Sequence, residues 1–293
     1  MKTKYFLPIM ALMLAMISIV ACVNAITEEG HDETTEMDRA EGKEITFQVV
    51  GLEQVLVDAQ SRAEVPISEL CTNITLALYQ GSTRVQKIDQ DAEDDHFGRF
   101  TTHLPYGSYT LVCLAHSSEG NATTTNSEKI SFPSSYVTDT FIYCAEIEVT
   151  EESEPIQNLS LTRAVSKFEI CMTDKIPEDV TMLEIRYTGG SATVNARTGR
   201  GVTNSRQHEE FEVTPGTTAN TFGVYTFLFD EEGKLKITIT AYDEAGNDVY
   251  SRVFEDVPMK RNNITRYQGK FFGKAFDGTI TADSTWTHTS HDF

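Results

Sequence analysis

The sequence predicts an all-β chain, organised as two tandem antiparallel β-sandwiches behind a lipoprotein signal and an acidic tether. Three observations carry this reading. Apolar and polar residues alternate with period two from Glu44 onward, while helical spacing is scarce. Turn residues separate the alternating runs at short intervals. One acidic, proline-containing stretch then divides the body in two. At 293 residues the chain has room for two domains of about 100–150 residues each, and 40% hydrophobic residues with 23% charged ones exclude a disordered chain.

Lys2 and Lys4 precede an uncharged run, Tyr5 to Ala21, rich in Leu, Met, Ile and Ala. This is the charged n-region and apolar h-region of a secretory signal over residues 1–21. Ile19-Val20-Ala21-Cys22 has the small side chains and the cysteine of a bacterial lipobox, so Cys22 is expected to be the lipid attachment site. Each acyl methylene buried in a bilayer contributes about 0.8 kcal/mol, and several chains together make the attachment durable. An ordinary signal peptide with an incidental cysteine is the alternative. Residues 22–43 form the tether: from Val23 to Lys43 seven acids stand against Arg39 and Lys43, a solvated composition that would also suit a cation or a basic partner. After residue 21 no apolar run approaches the roughly 18–20 residues needed to span a bilayer.

In the body, Ile45, Phe47 and Val49 alternate with Thr46 and Gln48; Ile74, Leu76 and Leu78 with Thr75, Ala77 and Tyr79; and Tyr109, Leu111 and Cys113 with Thr110 and Val112. Tyr143 to Val149 and Leu235 to Thr240 repeat the pattern. One dry and one wet face per strand is expected of packed antiparallel sheets. Pro105-Tyr106-Gly107, Gly189-Gly190, Asp230 to Gly233 and Ala245-Gly246-Asn247 are expected to be hairpin connections. A short helix is expected near Pro177 to Met182.

Thr150 to Asn158 is the expected linker, giving an N-terminal sandwich over residues 44–155 and a C-terminal one over 156–293. Just beyond it the apolar parity switches, from Leu159 and Leu161 to Phe168, Ile170 and Met172. A strand cannot do that without a bulge or a change of sheet. Residues Arg163 to Ser166 are therefore read as the point where the chain enters the second core, with a bulge inside one domain as the other reading.

Few residues of the sequence form a pattern that carries chemistry. There is no Gly-x-Ser-x-Gly, no phosphate-cradling glycine loop and no His-Glu-x-x-His. No catalytic residue, metal ligand or cofactor is expected, and the chain is read as no enzyme. Asp89, Asp91, Glu93, Asp94, Asp95 and His96 offer calcium-like oxygen ligands, but the spacing fails the EF-hand pattern, and a loop of solvated carboxylates is the simpler reading. Trp286, the single tryptophan, is read as a cap on a final strand rather than a sugar platform. Cys71, Cys113, Cys144 and Cys171 lack C-x-x-C spacing; buried thiols and disulfides both stay open. With 24 basic against 44 acidic residues the net charge is -20, which excludes nucleic acid as a partner.

Several segments resemble the fimbrillin superfamily of Bacteroidales (type V) fimbriae, closest to its FimB-like anchor and accessory group. They are Leu104-Pro105-Tyr106-Gly107-Ser108-Tyr109-Thr110-Leu111, Leu161 to Phe168, and Lys260-Arg261-Asn262-Asn263. The resemblance implies transthyretin-like sandwiches, lipid anchoring at the outer membrane and cell surface, and a role in pilus assembly and cell adhesion. The partners it implies are other fimbrial subunits, joined by β-strand addition, with the membrane held through the lipid. In stalk pilins of the superfamily an arginine-specific protease removes the first strand, and another subunit's strand fills the groove. Arg39 and Arg62 are the candidate processing sites here. A stalk or tip pilin and a glycan-binding surface lipoprotein are the rival readings; the host ligand is left open.

Overall fold

Period-two alternation becomes strand almost wherever it occurs. The computed structural model describes residues 41–53, 67–218, 220–273 and 277–283. The first sheet takes β1 (Gly42–Glu53), β2 (Asn73–Gln80), β3 (Thr83–Asp91), β4 (Arg99–Pro105), β5 (Gly107–His116), β7 (Phe141–Val149) and β8 (Ile156–Arg163), with the two-residue β6 (Ile130–Ser131) lying outside it. Its strand order is β3-β2-β5-β7-β8-β1-β4. β7 and β8 pair only through Phe141 with Arg163 and Ile142 with Thr162, so the sheet turns a corner there. The two halves then face each other as a sandwich. Ile45, Phe47 and Val49 of β1 and Leu161 of β8 share one core with Leu76 of β2 and Leu111 of β5.

The second half of the chain supplies β9 (Ser166–Met172), β10 (Met182–Ser191), β11 (Thr193–Asn195), β12 (Arg200–Gly201), β13 (Asn204–Glu212), β14 (Asn220–Thr226), β15 (Glu232–Tyr242), β16 (Asp248–Lys260), β17 (Ile264–Lys270) and β18 (Asp277–Asp283). Two four-stranded sheets result, β13-β10-β15-β16 and β14-β9-β17-β18. They enclose a second core built from Phe168 and Ile170 of β9, Leu183 and Ile185 of β10, and Ile237 and Ile239 of β15.

A third cluster joins the halves. β11 pairs with β6 through Val194 and Ile130, so a strand from the second half completes a small sheet with one from the first. Val194, Phe227 and Val165 pack there against Ala77 and Tyr79 of β2 and Val112 and Leu114 of β5. This corrects the expectation of one dry and one wet face: β2 and β5 are buried on both, because the second half covers what would otherwise be their solvent side.

The expected hairpins are corrected more sharply. Only Ala245-Gly246-Asn247 joins paired neighbours, β15 and β16, with Asp243 Oδ1 accepting from the amides of Ala245 at 3.0 Å and Asn247 at 2.8 Å. Pro105-Tyr106-Gly107 connects β4 to β5, which lie in opposite halves of the first sandwich and do not pair. Asp230 to Gly233 leads from the β14 sheet to the β15 sheet. Gly189-Gly190 is no turn but a bulge inside β10, where the register with β13 shifts between Tyr187 and Gly190. Turn residues specify a reversal or kink, not the strand that receives the chain next. The helix expected near Pro177 to Met182 is a single turn, Val180 N donating to Pro177 O at 3.2 Å, before β10 begins.

Thr150 to Ser153 make the turn between β7 and β8, with Thr150 N donating to Ser153 Oγ at 2.9 Å. The strand starting at Ile156 pairs with β1 in the first sheet. The change of sheet comes between Arg163 and Ser166, at the parity switch.

Candidate functional site

Three places concentrate polar groups or exposed backbone. The first is the slot held by β1. This strand runs antiparallel to β4, from Gly42 opposite Pro105 to Gln48 opposite Arg99, and parallel to β8 on its other side. Ile45 and Phe47 are wholly buried. Loss of β1 would strip two neighbours of their ladders and open the first core along its length. Exposed ladders of this kind are what β-strand addition fills.

The second place is the junction between β8 and β9. Arg163 is buried and donates from Nε and Nη2 to the two carboxylate oxygens of Asp139, at 2.7 and 2.8 Å. Its guanidinium lies 4.6 Å from the Phe141 ring centroid, and Nη1 reaches Asn262 Oδ1 at 3.4 Å. Asn262 N in turn donates to Val165 O at 2.9 Å. Beyond it Glu169 accepts from Lys167 at 3.1 Å and from Arg266 at 2.7 Å. Every charge in this row meets an opposite one, the condition for tolerating burial. The arrangement fastens elements together and offers no free nucleophile or base.

The third is a groove of about 840 Å³ along β13, the edge strand of its sheet. Its far wall is the segment 133–137, in which Ser134 and Ser135 adopt left-handed φ of 53° and 57°. Left-handed non-glycine residues are uncommon and concentrate at functional sites. Gln207 Nε2 spans the groove to donate to Ser135 O at 3.0 Å. Gln207 Oε1 and Glu209 Oε1 are buried without a hydrogen-bond partner among the described residues. Burial pushes the Glu209 carboxyl up to about 8, against a smaller downward pull from Lys167. The ring of Tyr136 lines the groove and is half exposed.

Beside the groove, Glu184, His208 and Glu210 bring ligand-type atoms within 4.8 Å of one another. Both Glu184 oxygens are engaged, one by Arg186 Nε at 2.6 Å and the other by the Tyr242 hydroxyl at 2.7 Å. The chemistry is that of an ion pair. The Asp89–His96 run likewise spends its carboxylates locally: Asp89 accepts from the Thr75 hydroxyl at 2.6 Å, Asp94 from Asp91 N at 2.9 Å, and Asp91 from Glu93 N at 3.0 Å.

Cys22, Arg39, Arg62 and Trp286 lie outside the described residues. Cys71, Cys113, Cys144 and Cys171 are free thiols. No sequence motif marks the β13 groove. Its signal was present as parity: Gln207 and Glu209 alternate in step with Phe211, so polar residues occupy inward positions of a strand.

A candidate adhesin from Bacteroides ovatus is 15% identical with a TM-score of 0.50, covering 79% of this chain and 88% of that one. Another, from Bacteroides thetaiotaomicron, is 9% identical with a TM-score of 0.50, covering 84% and 98%. The tip fimbrial protein Mfa3 from Porphyromonas gingivalis is 7% identical with a TM-score of 0.42, covering 82% and 99%. No curated protein matches the chain. The all-β fold that the resemblance implied is thus shared with these two candidate adhesins. The match that extends to sequence covers residues 40–291, and by it the chain belongs to the family of unknown function DUF6562.

Proposed function

We propose that this protein is a non-enzymatic cell-surface lipoprotein that serves as an anchor or accessory subunit of a fimbria and contributes to its assembly and to cell adhesion. Its lipid is on Cys22, in the outer membrane. The observation that carries the reading is the position of β1, a strand near the chain's start bonded to β4 on one side and β8 on the other. Such a strand is the natural element to be exchanged for, or to resemble, a partner's strand. The fold shared with candidate adhesins supports it.

The test is the mass and N-terminus of the protein isolated from native membranes, with whatever subunits co-purify. An acylated Cys22 and bound fimbrial subunits are expected of an anchor. A start at Ala63 would replace that reading by a stalk or tip pilin that has lost β1 after cleavage at Arg62. A start at Ala40 would mean release from the lipid with β1 retained. Neither acylation nor subunits would overturn both readings.

A further inference from the structure

We propose that the groove along β13 is a binding site for a neutral oligosaccharide, whose hydroxyls are taken by the side chains of Gln207 and Glu209. This site is separate from the β1 slot proposed for subunit assembly, since β1 belongs to the first sheet and β13 to the second half of the chain.

Two acceptors on one wall of the groove go unsatisfied among the described residues. Gln207 and Glu209 each retain only 9% exposure, and the Oε1 of each is buried without a partner among the described residues. A buried polar atom left unpaired costs about 1–3 kcal/mol, so two on one wall need an explanation. Both side chains leave β13 on the same face, about 7 Å apart along the strand. The Gln207 amide is fixed at the groove wall, because its Nε2 bonds to Ser135 O, and Ser135 itself lines the groove.

The direction of these groups selects the occupant. A peptide strand added to the β13 edge would hydrogen-bond in the plane of the sheet, whereas Gln207 and Glu209 project perpendicular to it. Main-chain pairing does not reach them. A ligand lying in the groove over that face, with hydroxyl donors around the edges of its rings, does, and a chain of sugar rings has that form.

The chemistry selects neutrality. Burial holds Glu209 protonated at neutral pH, so it both donates and accepts, as the Gln207 amide does. Hydroxyls have the same dual character. Facing Glu209 are Lys167, already engaged by Glu169 at 3.1 Å, and Tyr187, whose hydroxyl donates to Tyr225 O at 2.7 Å. At the rim the carboxylates of Glu119 and Glu210 outnumber the one guanidinium, Arg206, which leaves no cationic face to select an acidic ligand. Tyr136 supplies an exposed ring against which a sugar face can lie.

The experiment is calorimetric titration of the full chain at pH 6 with maltohexaose, cellohexaose, mannohexaose and N-acetylchitohexaose. A galacturonic acid hexamer and an unrelated β-strand peptide serve as controls. At least one neutral hexasaccharide is expected to bind. Gln207→Ala and Tyr136→Ala should each weaken it tenfold or more. Glu209→Gln, which keeps a neutral donor and acceptor, should bind as wild type does and remove the pH dependence; wild type should weaken between pH 6 and 9.5. Melting temperatures verify folding, and Tyr136→Ala, at an exposed ring, keeps the test open if an inward variant fails to fold. Silence from all four neutral sugars overturns the proposal and leaves water as the groove's content. So does preference for the acidic hexamer or the peptide, or binding that the variants leave unchanged.

Discussion

Arg163 and Asp139 meet in a two-pronged ion pair, with both partners buried and both carboxylate oxygens engaged at 2.7 and 2.8 Å. The pair sits where the chain passes from the first sheet to the next, and Asn262 joins it from the turn between β16 and β17. Two of the segments that carry the fimbrillin resemblance, 161–168 and 260–263, are therefore brought into contact. Their use in this fold is structural, as a buckle between the halves.

Removing one partner of a buried pair strands the other charge, which costs about 3–5 kcal/mol. Arg163→Met should lower the unfolding free energy by that amount. The double variant Arg163→Met with Asp139→Leu should recover most of it, since a well-packed apolar pair is often no worse than an ion pair. Urea unfolding of the single and double variants checks this; equal losses in both would show that the charges are not the cause.

The thiols give a chemical readout of the first core. Burial, helped by Asp139, pushes Cys71 up to about 12, and burial raises Cys113 too. The thiolate is the reactive form, and both side chains are inaccessible. Maleimide at pH 7.5 should leave Cys71 and Cys113 unmodified in the native protein and label them in 6 M guanidinium, as peptide mass spectrometry would show. Native labelling of either would mean that the core opens.

The strands were legible because alternation is set by burial, and burial on one side of a strand does not depend on which strand lies beside it. Ile45 to Val49 and Leu235 to Thr240 could be read for that reason. Pairing was not legible. Pro105-Tyr106-Gly107 shows a reversal but not that β5 leaves β4 for β2 and β7. The candidate groove was hidden differently: its two walls, 133–137 and 206–211, are some seventy residues apart, and only folding places Ser135 against Gln207. What the sequence held was a pair of polar residues on an apolar parity.

Gly189 and Gly246 make a contrasting pair. Gly189 has φ +96°, and a Cβ there would lie 2.5 Å from Lys234 O. Gly246 has φ +80° with nothing within 4 Å of the same position. Gly189→Ala must therefore absorb both the left-handed backbone, at about 1–3 kcal/mol, and a clash with main chain. Gly246→Asn faces only the former, and Asn tolerates that region well. Thermal unfolding should show a large loss for Gly189→Ala and little for Gly246→Asn; a reversed order would contradict the bulge in β10.

His116 ties stability to mild acid. It is fully buried, edge-on to Phe132 at 5.1 Å between centroids, and its Nδ1 accepts from Ser118 N at 3.1 Å. Burial lowers it from 6.5 to about 4, with Asp89 pulling the other way and Lys87 reinforcing the shift. Between those values the unfolded chain binds a proton that the folded protein does not. Stability therefore rises with pH across that window and falls as the solution is acidified from pH 6.5 toward 4. The full effect is about 3 kcal/mol at 1.36 kcal/mol per unit. Comparing unfolding free energies of wild type and His116→Gln at pH 4, 5, 6 and 7 isolates it, because every other group titrates in both. Wild type should lose stability relative to the variant as pH drops, with the steepest change below 6. A difference that stays constant across the four values would show that His116 keeps an ordinary pKa and that the Phe132 contact does not exclude water from its ring.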